Sequence, residues 1–344
     1  MIQVVPIEDA VGFPLAHDIT EIRPGEFKGP AFQRGYVLRD GDLDHLRRLG
    51  KNHLYILKPG NDEVHEDDAA AAIADALCGS GVGWQGAPRE GKVALKATRD
   101  GLLKIDVDAL RRFNMLGDVM CATKHTHTLV KKDEQVAGTR AIPLVIARAR
   151  VEQAVAIARH VPEGVLRVLP LKKARVGVMI TGDEVYHGRI EDKFEAVIRQ
   201  KVAQLNGRIV DLKFLPDDDA RIAAAAHELI DLGADLLITT GGMSVDPDDR
   251  TRFALKKAGA RNMVYGSAVL PGAMFMIAYL GEVPVLGIPA CGIFAATTIF
   301  DLIYPRVLAG EKIERRDVAE LGHGGLCHDC ATCTYPKCAF GKQA

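Results

Sequence analysis

Apolar strands and amphipathic helices alternate from about residue 172 onward, and this alternation constrains the fold more than any other feature of the chain. Ala174–Ile180 is a continuous apolar run, and Lys193–Gly207 then repeats apolar residues at helical spacing. Two more strand–helix pairs follow, over 208–233 and 234–259. Alternation at these lengths is typical of an α/β fold, a parallel doubly wound sheet with helices on both faces.

The first 170 residues are less regular, and they predict a smaller mixed α+β N-terminal portion. Asp42–Leu49 predicts one helix, and an alanine-rich helix follows the acids of His65–Asp68. Between about 93 and 150 the pattern indicates strands, with a hairpin around Asp100-Gly101. A further helix is predicted near 152–160.

Charge and composition exclude two classes of partner. The charges of the 44 basic and 45 acidic residues nearly cancel, and aromatic residues make up only 6% of the chain. The composition therefore does not favour nucleic-acid binding. The N-terminus lacks the basic start of a signal peptide. Val283–Phe300 holds no charge, but its prolines and glycines favour a buried strand, a loop and a core helix over a membrane span. We expect a cytoplasmic homo-oligomer without nucleic-acid or membrane partners.

Three loops at one edge of the predicted sheet combine glycines with carboxylates, because the carboxyl ends of parallel strands meet there. These loops are 181–192, 240–249 and 289–298. The backbone N–H groups of Gly241-Gly242, and a helix N-terminus behind Gly292, could bind an anion such as phosphate. Carboxylates beside phosphate require a hard cation such as Mg²⁺ to bridge them. The alternative is that the acids only cap helices.

The motifs in these loops resemble those of the molybdenum-cofactor biosynthesis domain, and more closely the molybdopterin molybdotransferase-like proteins. The resemblance rests on TGDE (Thr181–Glu184), TTGGMSVDPDD (Thr239–Asp249), Pro271-Gly272 and GIPACGIFA (Gly287–Ala295). It covers about Lys172–Gly310, and VPIEDAVGFPLAHDI near the start is similar to the family's N-terminal segment.

The resemblance implies a protein that binds molybdopterin or the molybdenum cofactor with Mg²⁺. The implied reaction inserts molybdate into adenylylated molybdopterin and releases AMP, with Asp249 and Asp183 as catalytic residues. The cofactor-binding residues that it implies are Thr181, Gly182, Glu184, Asp192, Thr240, Gly241, Gly242, Ser244, Pro289 and Gly292. Two alternatives stay open: a non-catalytic carrier that delivers finished cofactor to a molybdoenzyme, and a metal-tailed redox or regulatory protein that binds the pterin.

Four segments follow from these patterns. They are a molybdotransferase-like segment over 1–60, a mixed α/β portion over 61–170, the molybdopterin-binding α/β domain over 171–310 and a cysteine-rich metal-binding tail over 311–344. The chain departs from the family at Phe194, where Asn is usual, and at Pro289–Gly292, where the family usually has Pro-Gly-Asn-Pro.

The tail contains a C-x₂-C-x₂-C-x₄-C motif, which predicts a metal site because thiolates held this close repel unless they share a cation. Its ligands are Cys327, Cys330, Cys333 and Cys338. A [4Fe–4S] cluster suits three cysteines at i, i+3 and i+6, and Zn²⁺ in a Cys₄ site is the alternative. Gly322, Gly324 and Gly325 predict a flexible joint between this tail and the α/β domain.

Two histidines in the sequence Lys124–Thr128 raise the question of a further metal site. His125 and His127 are predicted to share one face of a strand, at the spacing of metal ligands. No third ligand lies near them in the sequence, so a solvated strand face is the favoured interpretation.

Overall fold

A computed structural model of the protein describes residues 2–57, 62–243, 246 and 249–342. The chain divides into two compact units. The first unit extends to residue 168, except for 100–102 and 125–129, which belong with 169–344 in the second unit. Within the described part of the chain, no helix is long and apolar enough to cross a bilayer.

The strands in chain order are β1 (Ile2–Pro6), β2 (Ile19–Arg23), β3 (Phe27–Phe32), β4 (His53–Leu57), β5 (Glu63–His65), β6 (Val82–Gly83), β7 (Lys92–Ala97), β8 (Gly101–Ile105), β9 (Val119–Thr123), β10 (Leu129–Val130), β11 (Gln135–Ala141), β12 (Val145–Ala147), β13 (Leu166–Leu169), β14 (Arg175–Thr181), β15 (Arg208–Leu215), β16 (Leu236–Thr240), β17 (Arg261–Tyr265), β18 (Met276–Leu280) and β19 (Val283–Ile288).

The α-helices are α1 (Leu43–Arg48), α2 (Glu66–Leu77), α3 (Val107–Asn114), α4 (Arg148–Arg159), α5 (Asp183–Tyr186), α6 (Phe194–Gln204), α7 (Asp219–Asp231), α8 (Thr251–Lys257), α9 (Ile299–Leu308) and α10 (Arg315–Glu320). The helices predicted from Asp42, from the alanine-rich run and near 152–160 are confirmed as α1, α2 and α4.

The first unit has two apolar cores. In the N-terminal part, β1 pairs antiparallel with β4 and β2 with β3, around buried Ile7, Ile19 and Leu46. In the rest, β6, β7, β11 and β9 form one sheet, and the inward residues of β7 pack with α2 and α4. Alternating burial along β7 gives the sheet one covered face.

The hairpin predicted around Asp100-Gly101 is wrong. Strands β7 and β8 do form on either side of it, but they belong to different sheets, because β7 pairs with β6 and β11. Only Lys104 of β8 is not fully buried, so this strand lacks the solvated face that β7 has. The buried strand β8 pairs instead with β10 and β13. The turn residues Asp100-Gly101 therefore did not determine which strands pair.

The strand predicted for His125 and His127 is also wrong. Both residues lie in the turn between β9 and β10, where His127 has a φ of 61°. The Nε2 atom of His127 lies 3.5 Å from the Glu311 carboxylate, inside the second unit.

The second unit confirms the predicted doubly wound α/β architecture. Its sheet has the order β15-β14-β16-β19-β18-β17, and the first four of these strands are parallel. The other two, β18 and β17, run antiparallel, so the sheet is mixed rather than wholly parallel. A short connection, Gly281-Glu282, joins β18 to β19 and allows only an antiparallel pair.

Alternate residues of the central strands face different helices. On one face Val176, Val178 and Ile238 pack with α6 and α9. On the other face Met179 and Leu237 pack with α7 and α8. Strands covered on both sides read as continuous apolar runs, which is why they could be identified from the sequence.

The cysteine-rich tail is docked on the second unit, so the predicted flexible joint is wrong. Leu270 accepts a backbone hydrogen bond from Cys327 and donates one to Gly325, both at 2.8 Å. Phe340 is only 2% exposed and belongs to the core that covers one face of the sheet. Gly324 has a φ of 81°, and a Cβ there would lie 2.4 Å from the Lys342 carbonyl oxygen, so close packing explains this glycine.

We predict that Phe340→Ala lowers the free energy of unfolding of the second unit by about 3 kcal/mol, because it empties a buried aromatic site. Phe294→Ala is the matched control, since Phe294 is 83% exposed and its loss should change stability little. Urea denaturation of both variants measures the difference. Equal, small effects of the two substitutions would contradict a docked tail.

Candidate functional site

A cleft of about 1010 Å³ opens at the sheet edge where β14, β16 and β19 end. The three loops after these strands form its walls, together with residues 270–274 between β17 and β18. Parallel strands bring their carboxyl ends to one edge, so loops that are distant in sequence meet there. All of these residues belong to the second unit.

The Gly241-Gly242 pair forms the part of the wall that approaches its neighbours most closely. Both residues have positive φ, 81° and 54°. A Cβ on Gly241 would lie 1.9 Å from the Thr181 carbonyl oxygen, and one on Gly242 would lie 2.5 Å from the Thr251 hydroxyl. Only glycine fits at these two positions, which line the cleft.

Buried threonines tie the glycine pair to the adjoining elements. The Thr181 hydroxyl lies 3.1 Å from the Thr240 carbonyl oxygen, to which it donates a hydrogen bond, and 2.8 Å from the Thr251 hydroxyl. The ends of β14 and β16 and the start of α8 are thereby joined. These contacts give the buried hydroxyls of Thr181 and Thr251 their hydrogen-bond partners.

Carboxylates from three different loops gather beside the cleft. The N–H of Asp183 donates to Asp217 at 3.0 Å, and the N–H of Asp217 donates back to Asp183 at 3.3 Å. Burial raises the pKa of Asp217, and the charges of Asp183, Glu184 and Asp249 raise it further. One oxygen of Asp217 is buried and has no hydrogen-bond partner among the described residues. Such a group attracts positive charge.

Two of the predicted acids also hold the local backbone. Asp192 accepts the N–H groups of Phe194 and Glu195, at 3.0 and 2.8 Å, at the start of α6. Asp249 accepts the N–H of Asp246 at 3.1 Å and so closes the loop after the glycine pair. Both carboxylates thus accept hydrogen bonds from the backbone of their own loop.

The structure brings most of the predicted residues to the cleft wall. Those that line the cleft are Thr181, Glu184, Asp192, Gly241, Gly242, Asp249 and Pro289. Those that lie behind its wall are Gly182, Asp183, Thr240 and Gly292. Ser244 lies outside the described residues, as does Asp248.

The helix N-terminus expected directly behind Gly292 is not formed there. Residues Ala290–Ile293 make one 3₁₀ turn, and α9 begins only at Ile299. Thr298 and Asp301 cap that helix by accepting its first N–H groups, so these donors are already used. The sequence contains a Thr-x-x-Asp pattern, Thr298 to Asp301, which is typical of a helix start and predicts where α9 begins.

Apolar residues that the sequence interpretation did not assign make up much of the wall. They are Ile180, Val185, Phe194, Met243, Leu270, Met274 and Ile293. Cys291 also lines the cleft, and burial raises the pKa of its thiol. No local motif distinguishes these residues from core residues, since only the meeting of several loops exposes them to a shared cavity.

The four tail cysteines are reduced and differ in exposure. Cys327 and Cys338 are half-buried, whereas Cys330 and Cys333 are exposed. Hydrogen bonds from the Thr297 hydroxyl, 3.4 Å away, and from the Tyr335 N–H lower the pKa of Cys333. In the described ranges, no three His, Cys, Asp or Glu side chains are arranged to hold a metal. The metal site of the tail stays a prediction.

A comparison with family models decides what kind of domain surrounds the cleft. Residues 177–309, which include the strands, glycines and acids described above, match the model of a probable molybdopterin binding domain. The predicted resemblance is confirmed for the molybdopterin-binding domain. Residues 4–58 match a second model, described as a domain of unknown function, DUF8806.

Curated relatives match only parts of their own chains. The molybdopterin molybdenumtransferase of Haemophilus influenzae is 31% identical over 163 residues, which are 43% of this chain and 39% of that protein. A CinA-like protein of Mycobacterium avium is 31% identical over 121 residues, 29% of this chain and 28% of that one. The chain thus spans well under half the length of these relatives.

Solved structures with similarity include the molybdopterin biosynthesis enzyme MoaB of Thermus thermophilus. It is 21% identical with a TM-score of 0.34, over 40% of this chain and 98% of that one. A molybdenum cofactor biosynthesis protein of Pyrococcus furiosus is 16% identical with a TM-score of 0.27, over 91% of this chain and 66% of that one.

We predict that Gly241→Ala destabilises the molybdopterin-binding domain by about 2 kcal/mol more than Gly266→Ala does. Both glycines have the same left-handed backbone, with φ of 81° and 80°, so both variants carry the same strain. A Cβ on Gly266 meets nothing nearer than 3.8 Å, whereas one on Gly241 overlaps Thr181. Thermal unfolding of the two variants measures the steric part, and equal losses would refute the close approach.

Proposed function

We propose that this protein binds molybdopterin in the cleft and acts in molybdenum cofactor biosynthesis by inserting molybdate into adenylylated molybdopterin with release of AMP. The observation that carries the proposal is the meeting, in a molybdopterin-binding domain, of a side-chain-free glycine wall with carboxylates from three loops. In the cell we place this activity in the cytoplasm, in a homo-oligomer that hands its product to a molybdoenzyme.

The glycine wall supports the binding of phosphate. Because Gly241 and Gly242 carry no side chains, phosphate oxygens can reach backbone N–H groups, as in other anion-binding loops. The apolar wall around Phe194, Met243 and Met274 suits the flat ring system of a pterin. The two parts of the cleft thus match the two parts of the ligand.

The carboxylates fit a magnesium ion that is shared with a phosphorylated ligand. Mg²⁺ commonly takes one or two carboxylates and completes its shell with phosphate oxygens and water. That habit agrees with acids that gather near Asp217 without forming a closed metal cage among the described residues. Asp249 and Asp183 would help to hold the ion, which when bound polarises the phosphoanhydride. Glu184, on the cleft wall, would add a further carboxylate near the same ion.

We predict that Asp249→Asn lowers the rate of AMP release at least about 100-fold while the protein stays folded. The amide keeps an oxygen that accepts the Asp246 N–H, so the loop is retained and only the charge is lost. Asp246→Asn is the control, since its side chain is exposed and belongs to the same turn. The assay is single-turnover formation of AMP from adenylylated molybdopterin with molybdate and Mg²⁺. Similar rates in the two variants would exclude the catalytic role.

The same assay separates an enzyme from a carrier. A molybdotransferase releases AMP over repeated turnovers. A carrier binds finished molybdenum cofactor tightly and releases no AMP above background. That outcome would contradict the proposed transferase activity and identify the protein as a carrier.

The tail adds a metal centre to this proposal. We place a [4Fe–4S] cluster, or Zn²⁺ as the alternative, on Cys327, Cys330, Cys333 and Cys338. The residues fit such a group in kind, because four thiols lie within twelve residues and hydrogen bonds already favour the thiolate of Cys333. The tail is docked beside Leu270, which lines the cleft, so the centre would lie close to the bound pterin.

We predict that protein purified without oxygen contains about four irons and four sulfides per chain, and that Cys333→Ser abolishes them. Cys78→Ser, outside the tail, should leave the metal content unchanged. Metal analysis and visible absorbance before and after dithionite measure the outcome. One zinc per chain in colourless protein would identify the alternative, and four titratable thiols without metal would reject both.

A further inference from the structure

Two adjoining cavities in the first unit, of about 460 and 360 Å³, are lined by charged side chains that the proposed function does not use. They share His17, Asp18, Glu66 and Glu90 in their walls. Glu66 is the first residue of α2 and is only 6% exposed. A carboxyl group buried to this degree normally has a hydrogen-bonding partner.

The acids around Glu66 are already paired. Asp67 accepts from the Arg34 guanidinium at 3.0 Å and from the Gly91 N–H at 2.9 Å. Asp18 accepts the Arg34 N–H at 2.7 Å. Glu90 is bonded to Lys92 at 2.7 Å and to the Thr20 hydroxyl at 3.2 Å. Among the described residues, the Glu66 carboxylate alone of these four has no hydrogen bond or ion pair.

The position of Glu66 is enforced by its surroundings. His65, which precedes it, uses both ring nitrogens, since Nδ1 accepts the Asp67 N–H at 3.1 Å and Nε2 lies 3.0 Å from the Ala16 carbonyl oxygen. A Cβ on Gly91 would come within 2.9 Å of the Glu66 carboxylate. The backbone is therefore fixed on one side of Glu66 and kept free of side chains on the other.

Two buried side-chain nitrogen atoms of residues that line these cavities also lack partners. The Nε atom of Arg140 and the Nδ1 atom of His17 are buried, and neither has a hydrogen-bond partner in the described part of the chain. Arg140 and Lys51 line the smaller cavity, and both are opposite in charge to Glu66. The cavity thus presents one unsatisfied negative group and one unsatisfied positive group to whatever occupies it.

We propose that this cavity binds a small zwitterion of the amino-acid type, whose ammonium group pairs with Glu66 and whose carboxylate pairs with Arg140. A ligand with a single charge would satisfy one of these groups and be repelled by the other. The lining acids Asp18, Glu66 and Glu90 and the bases Lys51 and Arg140 are mixed in sign, as a bipolar ligand requires. The volume suits a molecule of amino-acid size.

Protonation of Glu66 gives the site a pH dependence. The pKa of Glu66 is raised to about 7, chiefly by burial and in addition by the charges of Asp67 and Glu90, while Arg140 and Arg34 act in the opposite direction. Burial lowers the pKa of His17, and Lys51 lowers it further, while Asp18 and Glu90 oppose this shift. Arg89 and the exposed Asp68 complete the charged lining. Since the ammonium group needs an ionised Glu66, affinity should rise about tenfold between pH 6 and pH 8.

The test uses the full-length chain and isothermal titration with the twenty common L-amino acids, one at a time. At least one should bind at pH 8. Its methyl ester, which lacks the negative charge, and its N-acetyl form, which lacks the positive charge, should each bind at least tenfold more weakly. Glu66→Gln should weaken binding at least tenfold, whereas Glu26→Gln, an exposed glutamate of the same unit, should leave it unchanged.

Several results would overturn the proposal. These are no binding of any amino acid, equal binding of the ester or the N-acetyl form, or undiminished binding by Glu66→Gln. If the Glu66→Gln variant does not fold, the wild-type protein still decides, because equal affinity at pH 6 and pH 8 excludes Glu66 as the ammonium partner. Tighter binding of Mn²⁺ than of any amino acid would identify a metal site instead.

Discussion

The close approach of Gly241 to the Thr181 carbonyl is the contact on which the cleft of the molybdopterin-binding domain depends. It brings the ends of β14 and β16 together without side chains between them. The Thr181 hydroxyl then reaches Thr240 and Thr251, so the glycine pair and the start of α8 are held by one buried group. The part of the cleft wall formed by Gly241 and Gly242 is therefore tied to its neighbours by hydrogen bonds.

The acidic residues near the glycine pair have different structural roles. Asp219 is bonded to Arg250 and Lys257, which lower its pKa to about 2, so it serves to tie α7 to the start of α8. Asp192 caps α6, and Asp249 closes the loop after the glycine pair. Asp217 is different, because burial and neighbouring acids raise its pKa and leave one of its oxygens without a partner in the described ranges. A cation at this edge would relieve that repulsion.

The tail is part of the same unit. Its docking through Leu270 and Phe340 puts the cysteine motif next to residues that line the cleft. Glycines near residue 324 suggested flexibility in the sequence, yet they mark close contacts between backbone segments.

The sequence by itself determined the architecture of the second unit and the edge where its site lies. Strands such as β14 and β16 are buried on both faces, so they appear as continuous apolar runs between helices, and the glycines and acids that follow them are local signals. Tertiary structure decided what local signals do not contain. It placed Met243 and Cys291 on the cleft, separated β7 from β8, and docked the tail. It also enclosed Glu66 without a partner in the described part of the first unit. Each of these depends on residues distant in sequence, because burial is shared between segments and no single segment specifies its neighbour.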